Sequence, residues 1–183
     1  MARNIEIKAR IESVEAMVRK VASLADQGPI AITQDDTFFT CERGRLKLRA
    51  FSATEGQLIF YRRADHAGPK ESTFVIAAIG APDALREALS LAYGQAGRVR
   101  KQRTLYLVGR TRVHLDRVED LGHFLELEVL LSDGEPTQPG IEEAHRLMAV
   151  LGVETEHLIE GAYVDLLATP RTSTPPPGAR RSP

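Results

Sequence analysis

The sequence predicts an α+β fold: a closed antiparallel eight-stranded barrel with helices packed outside. Three observations lead there. First, apolar and ionisable residues alternate along several segments, as in Asn4-Ile5-Glu6-Ile7-Lys8-Ala9-Arg10-Ile11 and Phe124-Leu125-Glu126-Leu127-Glu128-Val129. A strand sends successive side chains to opposite faces, so each segment has one apolar and one charged face. Second, short turn signals (Glu42-Arg43-Gly44, Thr54-Glu55-Gly56 and Gly109) separate neighbouring segments, which implies antiparallel pairing. Third, a few amphipathic helical stretches interrupt the strands and supply a cover for the apolar faces. Closure is conditional on the charged faces turning inward.

The elements follow in order. The first strand lies near 4–11, and Ser13 can cap a helix to about Ala25, with Val14, Met17, Val18, Val21 and Leu24 on one stripe. Strands near 34–40, 45–51, 57–63 and 70–77 come next. Pro82-Asp83 opens a second helix to about Ala92. Strands near 99–107, 110–117 and 124–131 complete the set. Pro139-Gly140 precedes a third helix carrying Ile141, Leu147, Met148 and Leu151, with Gly152 as its stop. A short helix from Ala162 to Leu167 ends the ordered part.

At 183 residues the chain suits one domain and hardly two. The expected domain spans 1–168. Residues 169–183 are rich in Pro, Ser, Thr and Arg, lack apolar content, and are expected to form a disordered tail. A net charge of −1 gives the chain no basic character that would suit nucleic acid. Cys41 is the only cysteine, so no internal disulfide forms. No apolar leader and no transmembrane-length run is present, so the expectation is a soluble cytoplasmic protein with no membrane partner.

The polar faces carry the chemistry. They present Asn4, Glu6, Lys8 and Arg10; Arg45, Lys47 and Arg49; Tyr61 and Arg63; Lys101 and Arg103; Arg110, Arg112, His114 and Asp116; and Glu126 and Glu128. A half-buried strand ordinarily shows a polar face that is merely wet. Here the signs are sorted by strand, with carboxylates on the first and last, which an ordinary solvated face would not show. Carboxylate oxygens suit a hard cation such as Mg²⁺ or Mn²⁺, and guanidinium and ammonium groups suit phosphate oxygens. His114 beside Asp116 reads as a structural histidine rather than a metal ligand. Tyr61 and Tyr106 are the aromatic residues to watch for contact with an organic group. No P-loop, G-x-G-x-x-G or H-E-x-x-H pattern occurs.

Ile5-Glu6-Ile7-Lys8-Ala9-Arg10 resembles the ExExK strand of the CYTH superfamily, the triphosphate tunnel metalloenzymes. The likeness continues through Gln34–Phe39, Leu46-Lys47-Leu48-Arg49, Leu58–Arg63, Lys101–Tyr106, Arg112–Glu128 and Ala162-Tyr163-Val164-Asp165-Leu166-Leu167. It spans about 4–167. Asn4 departs from the motif, standing where its first Glu would be; an amide oxygen can ligate a hard cation but adds no charge. Some relatives also place a Lys on a C-terminal helix across the tunnel, whereas residues 147–170 contain neither Lys nor Arg.

The resemblance implies that Lys8, Lys47, Arg49, Arg63, Lys101, Arg103 and Arg112 hold a triphosphate, with Lys8 and Arg63 catalytic. It implies that Glu6, Glu126, Glu128 and Asp116 bind Mg²⁺ or Mn²⁺. The expected activity is metal-dependent hydrolysis of a nucleoside or organic triphosphate, the partner being ATP, thiamine triphosphate or tripolyphosphate. One alternative is a class IV adenylate cyclase that makes cyclic AMP and pyrophosphate. Another is a polyphosphate-binding module without turnover. Monomer or homodimer is left open.

Overall fold

The computed structural model describes residues 1–169. The predicted tail therefore lies, Thr169 apart, outside the described residues. Eight strands form the framework: β1 (Ala2–Arg10), β2 (Gln27–Phe39), β3 (Arg45–Ala50), β4 (Gly56–Arg63), β5 (Lys70–Ile79), β6 (Gln95–Val108), β7 (Thr111–Val118) and β8 (Gly122–Leu131). They close into a barrel in the order β1-β5-β4-β3-β2-β6-β7-β8. Every neighbouring pair is antiparallel.

Two strands outrun their sequence signal. β2 starts at Gln27 rather than near 34, and β6 at Gln95 rather than near 99. The first part of β2 is exposed on both faces, so it shows no alternation, and its Gly28-Pro29 pair reads as a turn. It is nevertheless paired to β6 along most of its length.

Helices cover the outside. In α1 (Val14–Ala22) the Ser13 side chain accepts the Ala16 N–H at 3.1 Å, and Val14, Met17 and Val21 are buried against β7 and β8. α2 (Pro82–Tyr93) starts on its proline and packs on β2 and β3. α3 (Thr137–Leu151) lies on β1 and β8 and stops at Gly152 in the left-handed conformation. It begins before Pro139 rather than after it, because a proline in the first helical turn removes an N–H that has no intrahelical acceptor. Gly140 lets α3 approach closely: a Cβ there would stand 2.8 Å from side-chain atoms of both Ile5 and Leu131. After a turn of 3₁₀ helix (Thr155–His157), α4 (Tyr163–Ala168) rests on β6. Among the described residues no helix is long and apolar enough to cross a membrane.

The larger apolar cluster lies between barrel and helices, and a second one, with Phe38, Val99, Phe124 and Tyr163, fills one end of the barrel. In the larger one Ile5, Ile7, Leu115, Leu125 and Leu127 join Val14, Val21, Leu147 and Leu151. Tyr106 belongs to it and is 2% exposed, which corrects its reading as a substrate-contacting residue: it faces the wrong side of β6.

Candidate functional site

The inward rows enclose a cavity of about 260 Å³. Its wall carries seven basic side chains, Lys8, Lys47, Arg49, Arg63, Lys101, Arg103 and Arg112, against four carboxylates, Glu6, Asp36, Glu126 and Glu128. The wall thus has three more formal cations than anions. Period-two alternation delivers them: each is two residues along its strand from another lining residue. Arg10, on the same row of β1, lies beyond the cavity; it is exposed, donates to the Leu121 carbonyl and covers the Phe124 ring.

Cross-strand register decides which charges meet. Lys8 stands opposite Glu126, Glu6 opposite Glu128, Glu126 opposite His114, and Glu128 opposite Arg112. Lys8 pairs with Glu126 at 3.1 Å, Arg63 with Glu6 at 2.7 Å, and Arg112 with Glu128 at 2.6 Å. On the far wall Asp36 accepts from Lys47 at 2.9 Å and from Arg49 at 2.8 and 3.0 Å.

Three of these groups form a cluster that could hold a metal ion. Ligand atoms of His114, Glu126 and Glu128 all lie within 4.8 Å of one another. Burial and the Arg103 charge lower the His114 pKa, leaving the ring neutral at neutral pH with a lone pair to offer. Its Nδ1 is buried without a hydrogen-bond partner, 3.6 Å from Glu128 and 3.7 Å from Glu126. Burial alone would raise the Glu126 carboxyl, but Lys8, Arg103 and Lys101 outweigh it and hold it well below its ordinary range. Burial likewise opposes ionisation of Glu128, and the Arg112 and Arg103 charges work against it to hold the carboxyl below its ordinary range. Two ionised carboxylates and a neutral imidazole with an unpartnered Nδ1 fit a divalent cation. His114, expected from the sequence as a structural histidine, thus lies within this cluster.

Asp116 and Glu6 behave differently. Asp116, a sequence candidate for metal binding, is wholly buried outside the cavity lining. It accepts from Arg103 at 2.6 and 2.7 Å, Lys101 at 3.0 Å and the Tyr163 hydroxyl at 3.1 Å. Its oxygens are used up in orienting cations, which is the physical reason to remove it from the ligand set. Glu6 lines the cavity but falls outside the three-residue cluster, engaged with Arg63.

Several donors and acceptors face the cavity without partners. Arg63 Nε and Nη2, Arg112 Nε, Asn4 Oδ1 and Gln34 Oε1 are all buried and unbonded. Unpaired buried guanidinium N–H groups are costly unless an anion or water takes them.

One end of the cavity is closed. Leu158 bridges to Ala9, the Tyr163 ring lies 4.0 Å beneath Lys8 Nζ, and Tyr163 meets Phe124 edge to face at 4.8 Å. Lys70, 2% exposed, ties this segment down by donating to the carbonyls of His66, Ile159 and Glu160 at 2.7, 3.3 and 2.9 Å. Thus a β5 lysine reaches the C-terminal segment that carries no Lys of its own. Sequence reasoning assigned no role to Lys70, Asp36 or Tyr163. The alternation Lys70-Glu71-Ser72 marks Lys70 as inward, and Tyr163 sits in a quoted motif, so both had a signal.

With this geometry in view, the comparisons with known proteins are direct. The chain belongs to the CYTH domain family, which matches residues 2–163. Proteins of this family are metal-dependent and bind triphosphates such as ATP. A Methanocaldococcus jannaschii protein named as a candidate adenylate cyclase is 30% identical over 76 residues, 42% of this chain and 43% of that protein. The match therefore spans less than half of that relative. The PH1012 protein of Pyrococcus horikoshii OT3 superposes with a TM-score of 0.79 at 24% identity, covering 89% of this chain and 98% of that one. A candidate adenylate cyclase from Vibrio parahaemolyticus gives 0.71 at 19%, covering 91% and 98%. A candidate adenylyl cyclase from Hippeastrum, in which triphosphatase activity dominates, gives 0.60 at 15%, covering 88% and 91%. At these identities the solved structures establish a shared fold.

Proposed function

We propose that this protein is a divalent-metal-dependent triphosphatase acting on a nucleoside or organic triphosphate, with Mg²⁺ or Mn²⁺ as cofactor. One observation carries the reading: one cavity inside the barrel joins an excess of three positive charges, unpaired Arg63 and Arg112 donors, and the His114, Glu126 and Glu128 cluster. A polyanion complements the first two, and a cation the third.

In this reading Lys47, Arg49, Lys101, Arg103 and Arg112 grip the phosphate chain, with Asp36 holding Lys47 and Arg49, Asp116 holding Lys101 and Arg103, and Glu128 holding Arg112. Lys8 and Arg63 take the catalytic role, stabilising charge as it develops on the transferred phosphoryl oxygens. His114, Glu126 and Glu128 would hold the ion, with Glu6 near them. The ion's contribution is to withdraw charge from the phosphate oxygens and orient them. Water needs no recognition of its own, which places hydrolysis ahead of cyclisation. Cyclisation of ATP is a second reading, favoured by relatives named as candidate adenylate cyclases.

Incubation with ATP, thiamine triphosphate or tripolyphosphate and Mg²⁺ or Mn²⁺ tests it. Orthophosphate release is the expected result. Cyclic AMP with pyrophosphate would favour the cyclase, and tight binding without turnover a non-catalytic module.

Two further results are expected. Burial, the neighbouring Arg49 and Lys101 push Lys47 down to about 8 against the opposing pull of Asp36. The Tyr61 and Phe38 rings also face it. Lys47 therefore loses its charge gradually as pH rises through about 8. Calorimetry without metal should show tripolyphosphate affinity weakening between pH 7 and 9, by up to roughly tenfold per unit above the pKa. Lys47→Arg should flatten that limb; an unchanged slope would assign it to another group. The second concerns Asn4. Asn4→Glu adds a carboxylate two residues from Glu6, and should lower the Mn²⁺ concentration for half-maximal activity by about tenfold, or ~1.4 kcal/mol.

A further inference from the structure

The Lys8 ammonium is held from two sides. Glu126 pairs with it at 3.1 Å. Opposite stands the chain that precedes α4: the Gly161 carbonyl accepts from Nζ at 3.5 Å, and the Tyr163 ring centroid lies 4.0 Å away. The same chain is joined to the Lys8 backbone, because the Ile159 N–H donates to the Lys8 carbonyl at 2.8 Å and Leu158 bridges to Ala9. Residues 159–162 belong to no helix or strand, so their placement depends on anchors outside a regular ladder. Lys70, at the start of β5, is such an anchor. Its three ammonium protons meet three carbonyls, of His66 at 2.7 Å, Glu160 at 2.9 Å and Ile159 at 3.3 Å. Two of these belong to the peptides just ahead of Gly161. The third lies in the loop that follows Arg63. One buried ammonium therefore ties together the surroundings of Lys8 and Arg63, the two residues given the catalytic role above.

We propose that Lys70 is a positioning residue for the reaction: by fixing the Ile159 and Glu160 carbonyls it holds Gly161 and Tyr163 against Lys8, and so keeps the Lys8 ammonium extended into the cavity instead of collapsed onto Glu126. The inference rests on the triphosphatase reading above. Stability alone is a weak reason for a lysine here. Lys70 is 2% exposed, and burying a charge is costly where an apolar side chain of similar volume could fill the space. An apolar side chain cannot, however, fix carbonyl oxygens. The cargo of that fixing is Lys8, whose ammonium rides on a flexible four-carbon stem and takes its position from its partners. A displacement of about 1 Å in such a group can lower a rate by about 100-fold. The cations assigned to gripping the phosphate chain stand on β3, β6 and β7, so loss of the Lys70 contacts should reach the rate before it reaches substrate binding.

The test is a double-mutant cycle of Lys70→Met and Lys8→Met, with melting curves as the control for folding. The substrate is whichever of ATP, thiamine triphosphate and tripolyphosphate the wild type turns over fastest with Mn²⁺. Single-turnover reactions followed over hours read the slow Lys8→Met proteins. Lys70→Met should lower kcat by about tenfold or more and move KM by less than about twofold. In the Lys8→Met background the same substitution should cost less than about twofold, because no ammonium is left to aim. Lys70→Arg, which keeps the charge and donors in a different geometry, should fall between wild type and Lys70→Met. If Lys70→Met does not fold, Lys70→Arg is taken through the same cycle, with a severalfold loss of kcat that again vanishes without Lys8. An equal loss in both backgrounds, or an undiminished kcat, would overturn the positioning role while leaving the triphosphatase reading intact. No turnover of any of the three compounds by the wild type would remove that reading, and this role with it.

Discussion

Glu128→Gln is expected to reduce metal-dependent turnover by at least about tenfold, or ~1.4 kcal/mol of barrier. The substitution keeps the side chain's size but removes one of two negative charges from the His114, Glu126 and Glu128 cluster. It also weakens the 2.6 Å pairing that aims Arg112. Glu126→Gln should cost more, because Glu126 also faces Lys8 at 3.1 Å and is bonded to Arg103. Initial rates across a Mn²⁺ titration read the effect, with a melting curve as the control for folding. The loss should appear in kcat and in the metal concentration needed. Unchanged kinetics in both variants would take these carboxylates out of the mechanism.

Asp116→Ala is expected to destabilise the fold by about 3–5 kcal/mol, the usual consequence of stranding a buried charge. Asp116 has no exposed surface, and Lys101 and Arg103 are 5% and 4% exposed. Removing the carboxylate leaves both cations and the Tyr163 hydroxyl without their shared acceptor. For a chain of this size the melting temperature should fall on the order of 10 °C. The metal concentration for half-maximal activity should stay where it is in the protein that remains folded. A specific loss of metal affinity with an unaltered melting temperature would restore Asp116 to the ligand set.

Much of this architecture was legible because the strands obey a period of two. Ile5, Glu6, Ile7 and Lys8 alone say that one face is apolar and the other charged, and the closed barrel follows once both faces need burial. The seven basic residues anticipated from the sequence all line one cavity for that reason. The length of β2 was hidden because residues 27–31 are exposed on both faces. Alternation also says which face a residue takes, but not which partner it meets. Asp116 shares the inward row of β7 with His114, yet Lys101 and Arg103 consume it while His114 remains free. That distinction comes from the register of β6 against β7, which no local pattern encodes. Tyr106 failed for the opposite reason: its even position on β6, against the odd positions of Lys101 and Arg103, already placed it outside.

The most direct measurement is a crystal structure with tripolyphosphate and Mn²⁺, read by anomalous scattering. The account predicts a manganese peak between His114, Glu126 and Glu128, and phosphates inside the barrel against Arg63, Arg112 and Lys47. Phosphate bound only on the outer surface, with no manganese peak in the cavity, would contradict it.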